Sequence, residues 1–202
     1  MSAVATPHPV LVESVPGVRA LARPGAGRWA REAALIGAGV VAVTLISQIA
    51  VPLPFTPVPL TLGTFGALLV GAALGPVRGL ASLGAYAMLG AVGAPVLAGW
   101  STGGLAVASF GYVVGYALAG TALGWAARRG ADRSMLGTAT AAVGATMLVY
   151  VAGVPWLMLA TGADLRAGLE MGMVPFLIGD AIKAVAAAAL LPTAWRLIDR
   201  TR

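Results

Sequence analysis

The sequence predicts an all-α membrane protein of six transmembrane helices, a bundle whose loops on one side close over a ligand pocket. Three observations predict it. First, 59% of the 202 residues are hydrophobic and 10% charged, with a mean hydropathy of +0.90, whereas soluble domains carry about 25% charged residues. Second, breaks of charge, Pro and Gly divide the chain into apolar runs at residues 33–51, 60–74, 77–92, 110–127, 135–160 and 171–195, near the roughly 17–25 residues of helix that a bilayer core accepts. Third, the cations alternate. Arg19, Arg23, Arg28 and Arg31 precede the first run, Arg78 lies between the second and third, Arg128, Arg129 and Arg133 between the fourth and fifth, and Arg196, Arg200 and Arg202 follow the sixth. All of these fall on one face of the membrane and only Arg166 on the other. By the positive-inside rule both termini are cytoplasmic, and connections 52–59, 93–109 and 161–170 lie outside.

Taken in order, residues 1–30 are rich in Pro, Gly, Val and Ala without an apolar core, and read as a mostly disordered cytoplasmic tail before the membrane domain of residues 31–202. The first long apolar run starts only at Ala33, so the first helix is expected to stay uncleaved. Its start repeats a small residue every fourth position, Ala30, Ala34, Ala38 and Ala42 with Gly37 beside them. Such a stripe lets another helix approach closely, either within the bundle or from a partner protein. The loop 52–59 holds Pro52, Pro54, Pro57 and Pro59, which impose an extended, stiff path suited to a lid or to a rigid connector. The second and third runs are short and Gly-rich, and form either two spans or one re-entrant hairpin, joined by the 75–76 turn. Thr61 and Thr64 share a helix face, positioned for a ligand or for the carbonyl one turn back.

The connection 93–109 is apolar and glycine-rich, and resembles a re-entrant segment more than a water-exposed one. Gly103 and Gly104 permit close backbone approach to a ligand, and Trp100 and Trp156 serve as pocket wall or as interfacial anchors. Tyr86, Tyr112 and Tyr116 are single polar handles inside spans, directed at a cavity or at a neighbouring carbonyl. The turn 128–134 is short and basic.

The sharpest signal lies in the last run. Asp180 and Lys183, spaced i, i+3, sit inside an otherwise apolar segment, where a charge costs on the order of 2.5–3.5 kcal/mol and persists only with a partner. They form either an internal ion pair that ties the sixth helix to the bundle, or a site in which Lys183 neutralises a ligand carboxylate and Asp180 orients it. Counted from Met171 at about 1.5 Å per residue, they lie roughly 14 and 18 Å down the helix.

Several functions are excluded by composition. The chain has no cysteine and a single histidine, His8, in the tail, which removes thiolate, zinc and histidine-based chemistry; no metal, cofactor or catalytic residue is expected. The net charge of +6 comes from residues flanking apolar runs, without the basic patch that nucleic acid requires. No Gly-x-x-x-x-Gly-Lys-Ser/Thr phosphate loop is present.

The stretches FTPVPLTLGTF at 55–65, GAPV at 93–96 within GAVGAPV, and PFLIGDAIK at 175–183, in this order, resemble BioY, the biotin-specific substrate-binding subunit of energy-coupling factor (ECF) transporters, over residues 33–195. Where that family typically has Gln in Thr-Leu-Gln-Thr-Phe this chain has Gly63, and where it reads Gly-Pro-Thr-Gly-Gly-Tyr this chain has Val107 to Tyr112 as VASFGY. The resemblance implies an S-component-like six-helix bundle with one biotin pocket near the outer surface, in the cytoplasmic membrane of a prokaryote. It places Asp180, Lys183, Tyr112, Phe55, Thr56, Thr64, Tyr86, Trp100 and Gly103 at biotin, with Lys183 on the valerate carboxylate. It further implies a membrane-embedded coupling subunit and two cytosolic ATPases as partners, with Ala30, Ala34, Ala38 and Ala42 as docking face, and transport by toppling of the subunit in the lipid.

One rival remains: a small proton- or cation-coupled carrier of another carboxylated metabolite, in which Asp180 titrates. Such carriers commonly carry internal repeats, and the Asp-Ala-Ile-Lys pattern occurs once.

Overall fold

A computed structural model describes residues 8–15, 18 and 27–200. After a single helical turn, Leu11–Ser14, seven longer helices follow among the described residues: α1 (Gly27–Ser47), α2 (Gly63–Leu74), α3 (Pro76–Ala91), α4 (Phe110–Ala127), α5 (Met135–Thr161), α6 (Leu165–Gly172) and α7 (Leu177–Arg200). Four stretches are long and apolar enough to cross a membrane: α1, α4, α5, and Leu165–Arg200, which takes in α6 and α7.

The expected count of six spans is therefore not confirmed. Residues 60–61 pair as a short strand with residues 50–51, in register Ala50 with Thr61 and Val51 with Leu60, which shortens α2 to 12 residues. A helix of that length covers about 18 Å, less than the ~30 Å hydrocarbon core. Pro76 occupies the first position of α3 and Gly75 turns the chain with φ 84°, so the two short helices meet at a tight corner. The expected outer connection 161–170 also differs, because Asp164 accepts a bond from the Ala167 N–H at 2.8 Å and starts α6.

The bundle is organised around α4, whose glycines allow close crossings on two faces. On one face a side chain at Gly115 would meet the Val149 backbone of α5 at 2.7 Å; on the other, one at Gly124 would meet the Gly71 carbonyl at 2.7 Å, and one at Gly71 would collide with the Gly120 carbonyl. In lipid, where apolar burial gives no net drive between helices, such backbone proximity supplies the packing energy. Leu68, Leu83, Leu123 and Leu157 fill the centre and are fully buried.

Residues 8–15 are not the unstructured tail expected. Val10 is fully buried, the His8 N–H donates to the Arg128 carbonyl at 2.8 Å, and the Glu13 carboxylate accepts from Arg78 at 2.9 Å and from Arg128 at 2.6 Å. Burial raises the Glu13 pKa, but the two guanidinium bonds outweigh it and hold the carboxyl below its ordinary value. Arg78 also pairs with Glu32 of α1, so the tail segment joins α1, α3 and the end of α4. The rest of the tail lies outside the described residues, apart from residues 27–30, which begin α1. At the same end the Trp195 indole donates to Asp132 at 2.6 Å beneath the Arg133 guanidinium, fastening α7 to the α4–α5 turn.

Candidate binding site

At the end opposite these arginines, the three connections 52–59, 93–109 and 162–176 converge over a cavity of about 210 Å³. Its floor and walls come from α2, α4, α5 and α7 with Ser47 of α1 and Tyr86 of α3, and its roof from Pro57, Pro59, Leu97, Ala98 and Ser101. The first connection is not the extended path expected: it turns at Pro54 and Phe55 and bends at Pro57 and Val58, and the antiparallel pairing of residues 50–51 with 60–61 brings its ends together.

Asp180 and Lys183 face this cavity, 8% and 7% exposed. Helix α7 begins at Leu177, six residues later than expected, so Asp180 lies in its first turn. The pair sits beneath the roof rather than 14–18 Å along a helix from Met171, and the positive end of the helix dipole favours the Asp180 carboxylate there. The Lys183 ammonium donates to Asp180 Oδ1 at 2.6 Å, and the Tyr150 hydroxyl donates to Asp180 Oδ2. Both carboxylate oxygens are thus engaged. An ammonium has three donors; Lys183 spends one on Asp180, its only bonded partner among the described residues, and keeps capacity for an anion in the cavity. Of the two sequence alternatives the ion pair is present, and it leaves the ammonium on the cavity wall.

Of the other expected residues, Thr64, Tyr86 and Tyr112 line the cavity. The Tyr112 hydroxyl donates to the Gly172 carbonyl at 2.7 Å, so its ring, rather than its polar end, is what the cavity receives. Thr56 is buried but outside the lining, and its hydroxyl accepts from the Val58 N–H at 3.2 Å. Phe55 and Trp100 are 59% and 54% exposed and also lie outside the lining, as does Gly103. For Trp100 the reason is backbone geometry: Gly99 and Trp100 both have positive φ, 68° and 57°, which turns the indole outward. A side chain at Gly63 would collide with the Tyr116 phenol, which fills that space and lies 3.3 Å from the Thr61 hydroxyl. Ala30, Ala34 and Ala38 are exposed on the outside of the bundle and Ala42 is half-buried.

Sequence reasoning missed Tyr150, the second partner of Asp180, and Phe176, Ser47 and Val149 of the lining. Tyr150 carried a signal, being the one Tyr within an apolar run of α5; the others are ordinary apolar or small residues that only packing distinguishes.

Comparison with known proteins places this geometry in context. The BioY family model matches residues 9–200. A probable biotin transporter BioY of Pyrococcus horikoshii is 34% identical over 164 residues, 80% of this chain and 94% of the relative. The biotin transporter BioY of Rhizobium etli is 32% identical over 167 residues, 78% of this chain and 87% of the relative. Among solved structures, the S-component for biotin from an ECF-type ABC transporter matches with a TM-score of 0.74 at 21% identity, over 86% of this chain and 95% of that one.

Proposed function

The chain belongs to the BioY family, and from that premise we propose that it takes up biotin across the cytoplasmic membrane of a prokaryote, as the substrate-binding subunit of an ECF-type ABC transporter. The observation that carries this reading is the buried ammonium of Lys183, with donors to spare, facing a mostly apolar and aromatic cavity in which Ser47, Thr61, Thr64, Ser101 and Ser109 supply the other neutral polar groups. Biotin supplies the complement: one carboxylate on a flexible apolar arm, and a compact ring system. Lys183 takes the carboxylate, Asp180 and Tyr150 fix the ammonium in place, and Tyr86, Tyr112, Tyr116 and Phe176 enclose the rest. The arginine-rich end faces the cytoplasm and the roofed end faces outside.

Energy comes from partners, a membrane-embedded coupling subunit and two cytosolic ATPases. The exposed stripe Ala30, Ala34 and Ala38, continued by Ala42, is the proposed docking face on the coupling subunit, since small residues allow helix backbones to approach. Titration calorimetry of detergent-purified protein with micromolar biotin tests the ligand. A saturable one-to-one heat supports the assignment; no heat and no change in tryptophan emission would overturn it. Uptake that persists with the proton gradient collapsed and ATP maintained supports the ATPase partners; loss of uptake would favour an ion-coupled carrier.

A further inference from the structure

Gln48 follows the last residue of α1, and its side chain reaches across to the 93–109 connection. Its Nε2 donates to the Thr44 carbonyl of its own helix at 2.9 Å, and to the carbonyls of Val96 at 3.2 Å and Leu97 at 3.3 Å; its Oε1 accepts from the Trp100 N–H at 3.1 Å. The orientation of the amide follows from the partners, because a flipped amide would set its oxygen against three carbonyls and its NH2 against an N–H. Three of the four bonds grip the segment that roofs the cavity: Leu97 and Ala98, between the gripped groups, both line it, and Leu97 is almost fully buried. Gly90 makes the seat, since a side chain there would meet Leu97 at 2.6 Å. The grip also spans the turn at Gly99 and Trp100, whose left-handed backbone a tryptophan adopts only when its surroundings hold it.

We propose that Gln48 is a positioning residue for ligand retention: it latches the roof segment 96–100 to the end of α1, and ligand leaves when that latch opens. Without Gln48, the Val96 and Leu97 carbonyls and the Trp100 N–H lose their shared partner, and residues 96–100 keep the packing of Val96 and Leu97 and the Val96 N–H bond to the Ala94 carbonyl. The helix that carries the latch is the one whose outer face presents the Ala30–Ala42 stripe, so a shift or rotation of α1 against the bundle moves Gln48 directly. Gln48 touches no ligand in this scheme; it acts through Leu97 and Ala98.

The proposal rests on the biotin reading, and its test has one arm that does not. Gln48→Met keeps the volume and removes every bond; Gln48→Glu keeps the acceptor for Trp100 and removes the donors to Val96 and Leu97. In ligand-free protein, hydrogen exchange of peptides covering residues 94–107 is expected to accelerate at least about tenfold in Gln48→Met, and at least as much in Gln48→Glu, whose second carboxylate oxygen is set against the three carbonyls, with peptides of α4 and α5 unchanged. With biotin, stopped-flow tryptophan emission is expected to give dissociation at least about tenfold faster in Gln48→Met, and association altered far less. A wild-type protein that ignores biotin would sink the functional reading and leave the exchange arm to judge the latch. Unchanged exchange in both variants would overturn the latch. So would faster exchange with unchanged dissociation, or accelerated exchange throughout the bundle in both variants, which would mark Gln48 as merely structural.

Discussion

Replacing Lys183 by Met removes the positive charge from the cavity while keeping an unbranched apolar chain in its place. Two effects follow from the geometry. Asp180 keeps the Tyr150 hydroxyl but loses its ammonium at 2.6 Å, and removing one partner of a buried pair costs about 3–5 kcal/mol. Binding loses a charge-assisted hydrogen bond worth about 1.5–3 kcal/mol, a rise in Kd of roughly 10- to 150-fold for biotin. Biotin methyl ester offers Lys183 no charge, so its loss is a neutral hydrogen bond at most, roughly fivefold. The double variant Asp180→Asn/Lys183→Met leaves no orphaned charge and separates fold from binding: it should melt near wild type and still bind biotin as weakly as Lys183→Met. Calorimetry with the acid and the ester, on both variants, reads the effect. Equal losses for acid and ester would refute the assignment of Lys183 to the carboxylate.

Further outcomes follow from the same structure. Tyr150→Phe frees one oxygen of Asp180 and should raise the biotin Kd roughly fivefold or more without unfolding the bundle, as calorimetry and a melting curve would show; unchanged affinity would remove Tyr150 from the site. Glu13→Gln should lower the apparent melting temperature at pH 7 by roughly 2–6 °C, the equivalent of about 1–2 kcal/mol. Because the folded-state pKa of Glu13 is depressed, its contribution is present above the ordinary carboxylate range and is lost as pH falls through the lowered value, so wild type and variant should converge once the pH lies below it. Ala34→Leu combined with Ala38→Leu should leave biotin affinity unchanged and abolish co-purification with a coupling subunit; retained co-purification would move the docking face elsewhere.

The membrane character, the alternation of arginines and the Asp180–Lys183 pair were legible because each is a strong departure from an apolar background. The details that were not legible share a cause: they depend on which face of an element meets which neighbour. Small residues spaced four apart mark both α1 and α4, yet only in α4 do Gly111, Gly115, Gly120 and Gly124 make crossings inside the bundle, whereas the α1 stripe stays outside. Phe55 and Trp100 looked like ring-enclosing residues by type and position, and the left-handed turn at Gly99 and Trp100 sends the indole outward. Composition likewise could not separate the buried Val10 and Leu11 from the remainder of a Pro- and Gly-rich tail, because their anchor is the distant charge of Arg78 and Arg128 on Glu13. Gln48 gave no signal at all, since its partners are backbone groups some fifty residues away.

The account turns on where a ligand's carboxylate goes once the roof has closed over it. Determining the structure with biotin bound measures this directly: the valerate carboxylate should lie within hydrogen-bond distance of Lys183 Nζ, beneath Leu97, with Asp180 still held by Tyr150. Biotin seated with its carboxylate away from Lys183, and the ammonium bonded to Asp180 alone, would contradict it.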